Sequence, residues 1–181
     1  MMMIAPNDVL DFWFSADPKL WFAKNNAFDM RIRVGFGMAL EEARQGRLDD
    51  WRETFRGKQA LIIVLDQFSR NLYRGIPDAF SQDAVALALA HEMVRQPEWD
   101  SLSGPEQQFA VMPMMHSEDL ADQQSCLRWM EQTGIEGAIK AAREHLDIIY
   151  RFGRFPHRNG VLGRESSAEE RQFLADGGFA G

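Results

Sequence analysis

The stretch ALIIVLDQFSRNLYR, residues 60–74, decides the fold of this chain. Its apolar residues recur every three or four positions, at Leu61, Val64, Leu65, Phe68 and Leu72. Residues 61–65 alone would suit a buried strand, but the pattern continues to Leu72 without a turn signal. We therefore predict a helix with one apolar side, which ends at Gly75.

The rest of the chain also has the pattern of helices separated by short breaks. Residues suited to capping a helix start are Asn7 or Asp8, Asp17, Ser81, Ser103, Ser117, Thr133 and Ser166. We predict an all-α fold of about seven to nine helices, packed as antiparallel pairs in an α-α superhelix or an irregular bundle. No Ser/Gly/Pro-rich linker divides the sequence, so we expect residues 1–181 to form one domain.

The amino-acid composition limits the classes of binding partner. The formal net charge is −7 and the pI is about 5.1, which argues against non-specific binding to nucleic acid or to an anionic membrane. The single cysteine, Cys126, cannot form an intramolecular disulfide, and this fits a cytoplasmic location. The sequence has neither the His-x-x-x-His spacing of a metal site nor a phosphate-binding glycine loop, so we predict no metal and no cofactor.

The polar side of the residue 60–74 helix is the first candidate site. Gln67, Arg70, Asn71 and Arg74 cluster there, opposite the apolar side, and Asp66 lies one turn before Arg70. One interpretation is a solvated helix face with an ion pair. The other is an anion clamp, because a planar guanidinium group matches the geometry of a carboxylate or phosphate.

A basic loop is the second candidate. Residues 151–164 read RFGRFPHRNGVLGR, in which glycine and proline break the helical pattern. Arg154, His157, Arg158 and Asn159 are the candidate ligand-binding residues of this loop. These cations either bind carbonyls and carboxylates of the same acidic chain, or form a positive pocket together with the arginines of residues 60–74.

His116 and Glu118 are the candidate catalytic residues. A histidine near a carboxylate can act as a general acid or base when its pKa lies near neutrality. The alternative is a helix start, in which Ser117 caps the helix, Glu118 complements its dipole and His116 flanks them. His157 is a second histidine suited to ligand contact, because it lies inside the basic loop.

Three motifs in this order resemble a bacterial family, the one named domain of unknown function 924. They are LDQFSRNLYR at residues 65–74, MPMMHSE at 112–118 and RFGRFPHRN at 151–159. The family usually has proline where this chain has Ser69. The resemblance covers nearly the whole chain and implies an all-helical fold similar to tetratricopeptide-repeat proteins, but no activity.

Three functions follow from these sites. The first is a protein that binds an anionic small molecule or a peptide carboxylate through its arginines. The second is a hydrolase that uses His116 with Glu118, or His157, while arginines stabilise developing negative charge. The third is a structural or protein-interaction module whose polar motifs hold helices together. The sequence leaves the choice among them, and the oligomeric state, open.

Overall fold

A computed structural model describes residues 4–181, and every regular element in that range is helical, which confirms the all-α prediction. The helices are α1 (Pro6–Phe14), α2 (Pro18–Trp21), α3 (Asn26–Arg44), α4 (residues 55–72), α5 (Asp83–Met93), α6 (Gly104–His116), α7 (Leu120–Thr133), α8 (Glu136–Phe152) and α9 (Ala168–Ala175). Short 3-10 turns stand between some of them, at Asp49–Glu53, Pro77–Phe80, Pro97–Ser101 and Pro156–Arg158.

Helix α4 contains the helix predicted for residues 60–74 as far as Leu72, and it is not uniform. It begins as an α-helix at Phe55–Ile62, widens to a π-helix at Ile63–Phe68 and returns to α-helix at Ser69–Leu72. The π-helical residues are all buried, Asp66 and Gln67 included. Such widened turns are frequent at functional sites because they re-aim side chains within a helix.

The core is built around α4, which packs against α1, α3, α5 and α6. Large aromatic side chains fill the contact, and Trp13 lies 5.8 Å from Phe68 and 5.3 Å from Phe109 between ring centroids. All three are fully buried, and each buried side chain of this size contributes roughly 1.5–3 kcal/mol. The start of α4 is equally tight, since a Cβ at Gly57 would lie 1.9 Å from the carbonyl oxygen of Trp51.

The C-terminal helices follow one another with short turns, and α6, α7 and α8 pack in sequence. The predicted cap of α8 at Thr133 is wrong. Gly134, at φ 68°, ends α7, while the Thr133 hydroxyl accepts a bond from the Ile135 N–H instead of capping the helix. The predicted cap of α6 is confirmed, because Ser103 and Glu106 form a capping box.

A second, smaller apolar cluster lies beside the C-terminal helix. It consists of Ile148, Ile149 and Phe155, with Phe152, Phe173 and Phe179 packed against it. The tetratricopeptide-like superhelix and the single domain over residues 1–181 stay predictions. No helix within residues 4–181 combines the length and the apolar character that a membrane crossing requires.

Candidate functional site

A cavity of about 800 Å³ lies beside the C-terminal half of α4, and both polar and apolar side chains line it. The polar side chains that line it are Gln67, Arg70, Asn71, Arg74, Gln108, His116 and His145. The apolar and small residues that line it include Trp21, Phe22, Met112, Met115, Ile135, Ala138, Ala141 and Phe179. The volume and this mixture are typical of sites for small organic molecules.

Asp66 links three of the polar side chains that line the cavity. Its side chain is fully buried, and one oxygen, Oδ1, lies 2.7 Å from His116 Nδ1 and 2.9 Å from Arg70 Nη1. The other oxygen accepts a bond of 2.6 Å from Gln67 Nε2. A single carboxylate therefore positions three of the predicted site residues.

The charge state of this group follows from its surroundings. Burial by itself raises the pKa of Asp66, but the charges of Arg70 and His116 and the bonds from His116 and Gln67 lower it to about 2. Burial and the nearby Arg70 charge lower the pKa of His116, despite its bond to Asp66. An ionised carboxylate only accepts, so Nδ1 carries the proton and Nε2 offers a lone pair.

Arg70 and the basic loop meet at one carboxylate, Asp83. Arg70 donates to it through Nη1 and Nη2, at 2.9 and 3.0 Å, while Arg158 Nη1 lies 3.6 Å from it. Arg158 is buried, with its guanidinium 4.7 Å and 4.5 Å from the ring centroids of Phe80 and Phe155. Burial and Arg70 lower the pKa of Arg158 to about 10. Of the two predicted arginine groups, only Arg70 and Arg158 approach each other, the anion between them is Asp83 of the chain itself, and Arg158 does not line the cavity.

Arg74 and Asn71 share a different carboxylate, Asp29 on α3. Arg74 donates through Nε and Nη2 at 3.0 and 3.1 Å, and Asn71 Nδ2 donates at 2.7 Å. These bonds leave Arg74 Nη1 and Asn71 Oδ1 without a hydrogen-bond partner within residues 4–181. Arg74 is the more exposed of the two cavity arginines, at 36% of its side chain against 19% for Arg70.

The other loop arginine of the prediction, Arg154, points away from the cavity. It donates through Nε and Nη2 to both oxygens of Glu170, at 2.6 and 2.8 Å. These bonds from Arg154 and one from the Ser167 N–H lower the pKa of Glu170 to about 2, although burial by itself raises it. Asn159 donates to the Ser166 hydroxyl, also outside the cavity.

Glu118, predicted beside His116, has other partners. Its carboxylate accepts from the Phe155 N–H at 2.8 Å and from two nitrogens of Arg164 at 2.7 and 2.9 Å. Arg164 also donates to the Asn159 side chain at 2.9 Å. The group that contacts His116 is Asp66, so the orienting role expected of Glu118 has to move to Asp66.

Two further histidines, His145 and His157, lie at or near the cavity. His145 donates from Nδ1 to the Ala141 carbonyl, and its ring is 4.5 Å from that of Phe179. His157 does not line the cavity but packs against Phe179 at 5.1 Å. Burial is the main cause that lowers the pKa of each histidine to about 4. Both rings are therefore neutral at physiological pH.

Sequence reasoning missed the residues that complete the site. Asp66 was recognised only as an ion-pair partner, and Asp83, Asp29 and Gln108 were not singled out. Helical spacing signals the Asp66–Arg70 contact, but nothing in a single sequence signals contacts to carboxylates on other helices. Within residues 4–181, no group of three or more His, Cys, Asp and Glu side chains is arranged to hold a metal ion.

Similarity to known proteins agrees with this fold. A family model described as a bacterial protein of unknown function, DUF924, matches residues 9–178. The solved structure of a protein of unknown function from Agrobacterium tumefaciens superposes with a TM-score of 0.89 at 39% identity, over 94% of this chain and 97% of that chain. No curated protein matches the sequence.

Proposed function

As the chain belongs to the DUF924 family of bacterial proteins of unknown function, its role has to be argued from the site, and we propose that the cavity binds a small molecule. That molecule has an apolar body and one anionic head, a carboxylate or a phosphate. The single observation that carries this proposal is that apolar side chains and the arginine-bearing end of α4 line one cavity of about 800 Å³.

The charge balance limits the ligand to a single anionic group. Arg70 and Arg158 are matched by Asp66 and Asp83, and Arg74 is matched by Asp29, so the site carries no large positive field. Recognition of an anion rests instead on hydrogen bonds. A peptide carboxylate meets the same requirement if an apolar side chain fills the cavity.

Arg74 is the best-placed donor for such a head. Its Nη1 is unused within residues 4–181, and Gln108, which also lines the cavity, has no hydrogen-bond partner in that range either. Trp21, Met112 and Ala138 offer the surface for an apolar chain. Arg70 is a poorer candidate for binding a ligand, because it already pairs with Asp66 and Asp83. It is also a poorer site for a test substitution, since removing it would leave the buried Asp66 without its main counter-charge.

The test is calorimetric titration of the protein with octanoate, and with octan-1-ol as the uncharged control of the same length. We expect octanoate to bind and Arg74→Ala to weaken it roughly tenfold or more, as loss of a charged hydrogen bond does. Arg143→Ala is the matched control, since that exposed arginine pairs with Glu131 away from the cavity. Equal binding of octanoate and octan-1-ol, or equal affinity of Arg74→Ala and wild type, would refute the anionic head.

A hydrolase is the second candidate, and the 2.7 Å contact between His116 Nδ1 and Asp66 favours it. A neutral His116 with its proton on Nδ1 can accept a proton from water at Nε2, and the resulting hydroxide would attack an ester carbonyl. The departing alkoxide would take that proton back. This candidate uses His116 with Asp66 in place of Glu118, and it gives no role to His157.

Release of nitrophenolate from p-nitrophenyl octanoate tests the hydrolase. We expect a rate that His116→Gln and Asp66→Asn both abolish, while Glu118→Gln leaves the rate unchanged in protein that remains folded. A rate that survives His116→Gln would remove this candidate without affecting the binding proposal. The interaction-module alternative draws its support from the loop, whose arginines bind the chain's own carboxylates.

A further inference from the structure

The outer face of α3 exposes a row of large apolar side chains. Met30, Val34 and Met38 follow one another at four-residue spacing, and they are 57%, 80% and 57% exposed. The opposite face of the same helix is buried in the core through Ile32 and Phe36. Single exposed apolar residues are ordinary, but a continuous apolar row along one helix indicates a contact surface.

Two glycines beside this row have no reason inside the fold. Gly35 and Gly37 lie in the middle of α3, where each glycine costs about 1 kcal/mol relative to alanine. Neither has a positive φ, and no heavy atom lies within 4 Å of the place where a Cβ would stand. At about 100° per residue the two glycines lie on opposite flanks of the apolar row, so neither flank carries a side chain at these positions.

The same face carries one positive and one negative side chain, toward opposite ends of the helix. At about 100° per residue, Ala27, Arg31, Val34, Met38, Glu41 and Gln45 fall within roughly 40° of one line. Arg31 lies toward the N-terminal end of that line and Glu41 toward the C-terminal end. Arg31 has no carboxylate partner within residues 4–181, although its guanidinium lies 5.1 Å from the Phe12 ring centroid.

We propose that two copies of this chain associate through an antiparallel pair of α3 helices, centred on Phe36. In that register Val34 packs against the partner's Met38, and Arg31 meets the partner's Glu41. Each contact occurs twice, as a two-fold symmetric interface requires.

A second copy is the occupant that this pattern favours. A different partner would need only an apolar row, whereas the mirrored order of Arg31, Val34, Met38 and Glu41 about one centre makes the face complementary to itself. No residue of this α3 face lines the cavity. The inference is therefore independent of the proposed ligand, and either can fail without the other.

The first experiment measures the mass of the full chain in solution by sedimentation equilibrium. We expect twice the 20.7 kDa chain mass for the wild type. Val34→Asp should weaken the dimer roughly 30-fold or more, the effect of losing a central interface contact. Tyr150→Asp is the matched control, because Tyr150 is equally exposed, at 79%, on α8. A monomeric wild type, or a Val34→Asp variant as dimeric as the control, would overturn the proposal.

A charge exchange tests the register. Arg31→Glu and Glu41→Arg should each weaken the dimer, and the double variant should recover most of the wild-type affinity. Glu41 also bonds to Arg44 and Tyr73 of its own chain, so thermal unfolding must show that each variant is folded. If the double variant is no tighter than the worse single variant, the antiparallel register is wrong.

Discussion

The arginine loop (residues 154–164) and the polar end of α4 (Asp66, Gln67, Arg70, Asn71 and Arg74) have similar residue types and different situations. The loop arginines Arg154 and Arg164 each grip a carboxylate of the same chain through two nitrogens. The polar end of α4 also binds carboxylates, but its outer edge lines a cavity. The two regions therefore differ in position, because only the polar end of α4 lines the cavity.

The arginine loop is held to neighbouring segments by ion pairs within the chain. Glu118 at the start of α7 joins the Phe155 backbone to Arg164, while Arg154 joins Glu170 of α9. These bonds fix residues that follow α8 against the rest of the molecule. We expect substitutions in the loop to change stability, and substitutions at the outer edge of α4 to change binding.

The largest expected effect is at Asp66. Asp66→Ala leaves Arg70 and His116 without their shared buried carboxylate, and we expect the free energy of unfolding to fall by about 3–5 kcal/mol. Because the folded pKa of about 2 lies below the ordinary value of 3.8, wild-type stability from this group is lost as pH falls from about 4 to 2. Urea unfolding at several pH values measures both, and a variant with an unchanged acid profile would contradict this assignment.

The next largest effect is expected at the ion pair between Glu118 and Arg164. Glu118→Gln removes the charge that Arg164 binds, and we expect a loss of about 1–3 kcal/mol in the free energy of unfolding, with octanoate affinity unchanged. Glu131→Gln is the control, as its exposed pair with Arg143 should contribute less than about 1 kcal/mol. A large change in octanoate affinity in Glu118→Gln would place the loop in the binding site and break the comparison.

A pair of arginine variants sharpens the contrast. We expect Arg74→Ala to weaken octanoate binding about tenfold with little loss of stability, since Arg74 is partly exposed. Arg154→Ala should do the reverse, because Glu170 is buried and loses its partner. Titration calorimetry and thermal unfolding on both proteins separate the two outcomes. Identical behaviour of the two variants would mean that the regions do not differ as described.

The last prediction concerns His145, which lines the cavity, and His157. His145 and His157 have folded pKa values of about 4 against an ordinary 6.5, so the unfolded chain binds protons that the folded chain does not. Stability should therefore decline as pH falls from about 6.5 toward 4. In His145→Phe the decline should be shallower, as thermal unfolding across this pH range would show. An equally steep decline would mean that His145 is not held neutral.

The helices could be predicted from the sequence because apolar spacing and capping residues are local signals. The helix over residues 60–74 was found in this way, as was the capping box at Ser103. Local signals also misled where two competed, since Gly134 took the left-handed position and excluded Thr133 as a cap. The π-helix at Ile63–Phe68 has no recognised spacing pattern, so the burial of Asp66 could not be predicted.

The partners of the arginines could not be predicted for a different reason. Glu118 and Arg164 are separated by 46 positions, and Asp29 and Arg74 by 45. Their contacts depend on how helices pack, which one sequence does not encode in any short pattern. The sequence therefore leaves both interpretations of the arginines open, and in the structure Arg154 and Arg74 each pair with a carboxylate of the chain, while only Arg74 lines the cavity.

The most direct test is a crystal structure of the protein with 8-bromooctanoate, in which anomalous scattering from bromine locates the chain end. We expect the carboxylate at Arg74 and the bromine among Trp21, Met112 and Ala138, with Glu118 still bound to Arg164. A carboxylate on the arginine loop, with Glu118 or Glu170 displaced, would contradict it.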